Sequence, residues 1–175
     1  MDLELTFDEI SIEYGIISSM IFKDFDRGEI KSNKIAVIFI LYNQQTNKIL
    51  IEQRMPDQIF AGKKLIPGGS MEITDNNNLE TTLKREISEE LGVTPTKYLN
   101  LEYPIIGETG AILCPFLITE WDGDIPEKII DKGNTLEWVD YDLWEPELKS
   151  VKEILGRATN FIKNNLMSHN LDILL

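Results

Sequence analysis

The chain has 175 residues, 42% hydrophobic and 27% charged, which suits one domain with a full core and leaves too little for a second. Its 30 acidic against 17 basic residues give a net charge of −13, which argues against a large nucleic-acid footprint. A small anion such as a nucleotide stays compatible if a divalent cation neutralises the site locally.

The single cysteine, Cys114, permits no intrachain disulfide and fits a reducing compartment. No apolar run approaches the roughly 20 residues of a membrane-spanning helix. The acidic opening MDLELTFDEI differs from the basic start of a signal peptide, so a cytoplasmic location is expected.

Residues 1–32 read as an N-terminal extension. LELTF alternates and EISIEYGIISSMIF is rich in β-branched residues, which favours strands. The spacing of Ile10, Tyr14, Ile17 and Ile21 also fits a helix face. IAVIFILY (35–42) is a continuous apolar run and predicts a buried strand. ILIEQR (49–54) predicts a second strand, with Glu52 and Arg54 on one face. The loop MPDQIFAGKK then leads into LIPGGSMEI, where Pro67-Gly68-Gly69 forms a turn able to bring bare backbone close to a ligand.

TDNNN lacks apolar periodicity and is rich in turn and cap residues, and Asn77 with Glu80 resembles a capping box. Leu79, Leu83, Ile87 and Leu91 form the inward stripe of a helix over 77–91, ended by Gly92. YLNLEYPII, AILCPFLITEW and TLEWVDYDL predict later strands, with WDGDIP as a turn. Pro146 fits the first turn of a closing helix over 146–167 whose apolar face runs from Leu148 to Leu166. The pattern is a mixed α/β domain over 33–167 with a central sheet and at least two packed helices, followed by a tail at 168–175.

Glu86, Glu89 and Glu90 stand at i, i+3 and i+4 of the helix, so their carboxylates are expected to converge beside the apolar stripe. They repel one another and lie near a helix C-terminus, where the macrodipole disfavours anions. Hard oxygen ligands gathered in this way suit Mg²⁺ or Mn²⁺. The competing reading of these glutamates is a solvated helix face. His169 is the only histidine and sits in the tail, which argues against Ser/His/Asp or Cys/His catalysis. Cys114 reads as a buried small hydrophobe, and Trp121, Trp138 and Trp144 as packing residues before base-stacking ones.

The segment GGSMEI…LETTLKREISEELGV resembles the Nudix box, usually written Gly-x5-Glu-x7-Arg-Glu-U-x-Glu-Glu-x-Gly-U with U aliphatic. Arg85, Glu86, Ile87, Glu89, Glu90, Gly92 and Val93 match its second half. The first half departs: Asp75 takes the place of the first glutamate, and lies ten residues before Arg85 instead of eight. A two-residue insertion in TDNNN accounts for this. The box spans 69–93, and the surrounding strand pattern extends the resemblance over about 33–165.

The resemblance implies a Nudix α/β/α sandwich with a central mixed β-sheet. It also implies divalent-metal hydrolysis of a nucleoside diphosphate linked to another group, with Mg²⁺ or Mn²⁺ as cofactor. Glu86, Glu89 and Glu90, helped by the Gly68 carbonyl, would hold the metal, and Arg85 would orient Glu86 or a neighbour. Glu86 or Glu89 is the expected general base, with Glu120, Glu127 and Asp131 as downstream candidates. Arg54, Gly69 and Lys64 are candidate substrate contacts, with a surface ion pair as the competing reading for Arg54, Lys64 and the adjacent Lys63.

The segment after the box resembles MutT-like enzymes, which remove pyrophosphate from nucleoside triphosphates. The proline expected some fifteen residues past the box in ADP-ribose-cleaving relatives is replaced by Glu108 and Thr109, and the SQPWPFPxS array of the NADH-cleaving group is missing. The alternatives are a nucleotide-binding regulatory module with little turnover, or an ADP-ribose or nucleotide-sugar pyrophosphatase. An isoprenoid diphosphate isomerase is disfavoured by the single histidine, and an RNA-end pyrophosphohydrolase by the charge. A small-molecule nucleotide is the expected partner, with no membrane, and a homodimer is kept open.

Overall fold

IAVIFILYN forms β1 (Ile35–Asn43) at the centre of the sheet in the computed structural model, which describes residues 34–166. The extension 1–32, the tail 168–175 and His169 lie outside the described residues. The other strands are β2 (Lys48–Gln53), β3 (Lys64–Leu65), β4 (Gly68–Ser70), β5 (Thr94–Asn100), β6 (Ile105–Ile106), β7 (Ile112–Asp122) and β8 (Thr135–Asp140). Two α-helices, α1 (Leu79–Leu91) and α2 (Lys149–Phe161), a 3-10 turn at Ile73–Asp75 and a π-helical turn at Ile162–Leu166 complete the described fold.

The sheet path is β3-β2-β1-β7-β5, with β4 paired to β1, β6 to β7 and β8 to β2. β1 and β7 run parallel, Val37 opposite Cys114 and Phe39 opposite Phe116, while the remaining pairs are antiparallel. The sheet is therefore mixed.

Strand alternation splits β1 between two cores. Val37, Phe39 and Leu41 join Cys114, Phe116 and Ile118 beneath the Leu79, Leu83, Ile87 and Leu91 stripe of α1. Ile40 and Tyr42 join Leu117, Ile49 and Ile51 against Val151, Ile154, Leu155 and Ala158 of α2. With helices covering both faces, β1 must be apolar throughout, and the layers form the α/β/α sandwich. Each fully buried Leu or Ile contributes about 1.5–3 kcal/mol of apolar transfer. Trp121 and Trp138 stack on each other at 6.0 Å against the first core, and Trp144 packs on the second. Cys114 is buried, which pushes its thiol up to about 12.

Three boundaries differ from the sequence expectation. YLNLEYPII divides into β5 and β6 because Glu102 takes a left-handed φ of 63° and Pro104 brings no backbone donor to a ladder. The closing helix begins at Lys149, leaving Pro146 in the preceding loop. Its N-cap Leu148 has no capping side chain. Glu108 caps it from another loop, accepting from Ser150 N at 2.9 Å and Ser150 Oγ at 2.5 Å. The helix α1 starts at Leu79, after the N-cap Asn78. No helix among the described residues is long and apolar enough to cross a membrane.

Candidate active site

The β4 strand and α1 place the site, and the stretched segment between them sets its geometry. Ile73–Asp75 winds into a 3-10 turn, and Asn76 and Asn77 both adopt left-handed φ, 53° and 55°. Asparagine is among the residues that tolerate this conformation best. The N-cap of α1 is Asn78, whose Oδ1 accepts from Thr81 N at 2.9 Å. The expected Asn77–Glu80 capping box is absent, because Asn77 is committed to the left-handed turn and Glu80 accepts from Lys84 Nζ at 2.7 Å.

This folded-back segment delivers Asp75 to Arg85. Asp75 is 1% exposed and accepts from Arg85 Nε at 2.9 Å and Nη2 at 2.8 Å, Thr82 Oγ1 at 3.0 Å and Glu72 N at 2.8 Å. The hydrogen bonds from Arg85 are the largest influence on its carboxyl, which is lowered to about 2 despite burial. Arg85 also donates to Ser70 O at 2.8 Å, Glu86 Oε1 at 3.0 Å and Glu89 Oε2 at 2.9 Å. One guanidinium thus ties the glycine turn, Asp75 and two helix glutamates into a single network.

The three glutamates are not equivalent. Glu86 and Glu90 are buried, at 7% and 1% exposure, while Glu89 turns outward with its side chain 53% exposed. At 3.6 residues per turn Glu89 lies two positions, about 200°, from both Ile87 and Leu91, so it cannot share their face. Glu86 packs directly on Gly69, where an added Cβ would come within 1.9 Å of its carboxyl. Burial raises the carboxyls of both Glu86 and Glu90. Glu90 Oε1 is ion-paired with the Lys132 ammonium, and its buried Oε2 has no hydrogen-bond partner.

Three further residues complete the cluster. Glu52 on β2 is 3% exposed; its Oε2 accepts from Asn134 Nδ2 at 2.5 Å and its Oε1 lies 3.4 Å from Arg54 Nη1. Burial raises its carboxyl, and the charges of Glu52 and Glu86 both act on Glu90. Asn134, fully buried, also accepts from Met55 N at 3.1 Å. Sequence reasoning assigned no role to Glu52, although an acid in the apolar strand ILIEQR was an available signal. Nothing in the sequence singled out Lys132 or Asn134.

No group of three or more His, Cys, Asp or Glu side chains among the described residues is gathered closely enough to hold a metal ion as it stands. Arg85 and Lys132 take the carboxylate oxygens instead. The donor set nonetheless fits a hard divalent cation: Glu86, Glu89 and Glu90 are carboxylates, and Glu90 Oε2 is a buried acceptor awaiting a partner. Of the turn carbonyls, Pro67 O accepts from Phe39 N at 3.0 Å and Ser70 O from Arg85, while Gly68 lies between them opposite Ile38.

The remaining candidates separate. A cavity of about 190 Å³ opens beside the glycine turn. Ile38, Phe60, Leu65, Leu113 and Val151 give it an apolar lining, and Glu52, Arg54, Gly69 and Ser70 also border it. Lys64 stands outside: strand alternation sends Leu65 inward and Lys64 to the surface, 2.6 Å from Glu137. Lys63 likewise pairs with exposed Glu147. Glu120 is exposed and pairs with Lys97 at 3.3 Å, and Glu127 is exposed. Asp131 is exposed beside Lys132, and its charge acts on Glu52.

A NUDIX domain family model matches residues 32–157. The chain is 28% identical over 111 residues to an 8-oxo-dGTP diphosphatase of Escherichia coli (strain K12), covering 61% of this chain and 80% of that protein. It is 33% identical over 87 residues to an 8-oxo-dGTP diphosphatase of Proteus vulgaris, covering 47% and 73%. Among solved structures, the NUDIX domain of Shewanella oneidensis NrtR complexed with ADP ribose superposes with a TM-score of 0.61 at 18% identity, covering 84% of this chain and 99% of that one. The MutT NUDIX hydrolase of Burkholderia pseudomallei gives 0.59 at 20% identity, covering 71% and 96%. At these identities the two structures speak to the fold alone.

Proposed function

The chain belongs to the NUDIX domain family and is a pyrophosphohydrolase of that kind; from that premise we propose that it converts a nucleoside triphosphate and water to the monophosphate and pyrophosphate, with Mg²⁺ or Mn²⁺ as cofactor. The observation carrying this reading is the network that joins Arg85 to Asp75, Ser70, Glu86 and Glu89 beside a cavity bordered by Gly69 and Arg54. The names of the two diphosphatase relatives support a triphosphate over a sugar-linked diphosphate.

Glu86, Glu89 and Glu90 would hold the cation. When bound, it supplies charge withdrawal from phosphorus and alignment of the phosphate chain. The protein's own groups do the rest. Asp75 fixes the guanidinium of Arg85, which in turn fixes the Glu86 and Glu89 carboxylates and so limits the reorganisation needed during reaction. The absent side chain at Gly69 lets Glu86 reach the turn. Glu86, buried and oriented by Arg85, is placed to take a proton from the attacking water. The apolar cavity excludes water around the base and sugar, with Arg54 at its border able to meet phosphate.

A nucleoside triphosphate panel with Mg²⁺, read out as pyrophosphate, tests the reading. Glu89→Gln, which removes one carboxylate from the proposed cation site, should cut turnover by about 100-fold or more. Equal activity in both proteins, or none in the wild type across the panel, would overturn it.

A further inference from the structure

Lys132 meets one of the carboxylates that the proposed site would offer to a cation. Its ammonium is ion-paired with Glu90 Oε1, and its charge also reaches Glu52 and Glu86, whose nearer cations are Arg54 and Arg85. The pairing is built in. Ile130 N donates to Glu90 O at 2.9 Å, fastening the Lys132 loop to the end of α1. Ile129 N donates to Asn134 O at 2.8 Å and Gly133 N to Ile129 O at 2.8 Å, closing the loop on itself. Asn134 then ties it to Glu52 and Met55. The Lys132 side chain is still 34% exposed, so its flexible stem has an open path to water.

We propose that Lys132 is an internal counter-ion that holds Glu90 in the metal-free protein and is displaced into solvent when a divalent cation binds. The inference rests on Glu86, Glu89 and Glu90 being the metal site. A buried carboxylate group with no cation would repel itself and open the site. An ammonium on a four-carbon stem prevents this reversibly, whereas a divalent ion offers Glu90 two charges and can also engage the unpartnered Oε2. Arg85 cannot serve in the same way, because Asp75, Ser70, Glu86 and Glu89 anchor it on several sides. The two cations therefore divide the work: Arg85 is permanent scaffolding and Lys132 is exchangeable.

Calorimetric titration of the full chain with Mn²⁺, wild type against Lys132→Met and Lys132→Arg, tests the displacement. Lysine labelling, quantified by mass spectrometry with and without saturating Mg²⁺, is measured in parallel. Lys132→Met should bind Mn²⁺ about tenfold more tightly, since no ion pair has to be broken, and Lys132→Arg should resemble wild type. Labelling of Lys132 in the wild type should rise when Mg²⁺ is added, as the ammonium is released to solvent. Equal or weaker Mn²⁺ binding by Lys132→Met overturns the proposal and leaves the metal site standing. Lys132 labelling that stays unchanged while the metal binds has the same consequence. If neither wild type nor either variant binds Mn²⁺, the proposal and the metal-site reading fall together.

Discussion

Asp75→Asn isolates the residue at which the box departs from its usual form. Its carboxyl is held at about 2 against an ordinary 3.8, and each pKa unit is worth about 1.4 kcal/mol, so ionised Asp75 stabilises the fold by about 2 kcal/mol at neutral pH. The group is 1% exposed, so solvent screening removes little of this. Because the folded pKa is depressed, the contribution is complete above the unfolded value of 3.8 and is lost as pH falls through about 2. Urea unfolding of the metal-free protein should therefore show Asp75→Asn about 2 kcal/mol less stable, with the gap constant from pH 7 to about pH 5 and closing below about pH 4. Asp75→Glu, which restores the usual box residue, should also lose about 1–3 kcal/mol, because the fully enclosed site has no room for another methylene. A gap under about 0.5 kcal/mol at pH 7, or one that closes above about pH 5, would refute the assignment of Asp75 as the anchor of Arg85.

Gly69→Ala sets a Cβ against the Glu86 carboxyl and should lower kcat/KM by about 100-fold while circular dichroism stays native, since a displacement of about 1 Å at a reacting group has that effect. Full activity in that variant would remove Glu86 from the reaction. Asn134→Ala deletes the bonds to Met55 N and Glu52 Oε2 and leaves the buried carboxylate short of a donor. It should cost about 2 kcal/mol in thermal unfolding, and a change near zero would show that the Lys132 loop is held by its backbone alone.

The parts of the fold readable in advance are those decided by neighbours in sequence. IAVIFILYN announces β1 because both faces of a central strand are buried, and the four-residue recurrence from Leu79 to Leu91 announces the buried side of α1. Arg85, Glu86, Glu89 and Glu90 were legible as a candidate site for the same reason. Which glutamates are buried was less so, since helical rotation takes Glu89 outward while Glu86 and Glu90 stay in. Glu52 became a site neighbour only through Asn134, 82 residues along the chain, and Lys132 meets Glu90 across 42. Both pairings depend on how the 123–134 loop returns over the end of α1, and no local periodicity encodes that return. The N-cap was displaced by one residue because three consecutive asparagines all suit both capping and left-handed turns, and only the tertiary demand on Asp75 separates them.

That demand also explains why the longer segment leaves the box connected. Two added residues in an extended conformation would carry Asp75 about 6–7 Å away from its partner. Asn76 and Asn77 take left-handed φ instead, so the added length is consumed in reversing the chain, and Asn78 N still donates to Asp75 O at 2.9 Å. The shorter aspartate then reaches Arg85 with both oxygens, helped by Thr82 from the first turn of α1. The longer loop thus still delivers an anchored guanidinium. What matters to the glutamates downstream is that Arg85 arrives already held, since a free guanidinium would have to be ordered each time substrate bound.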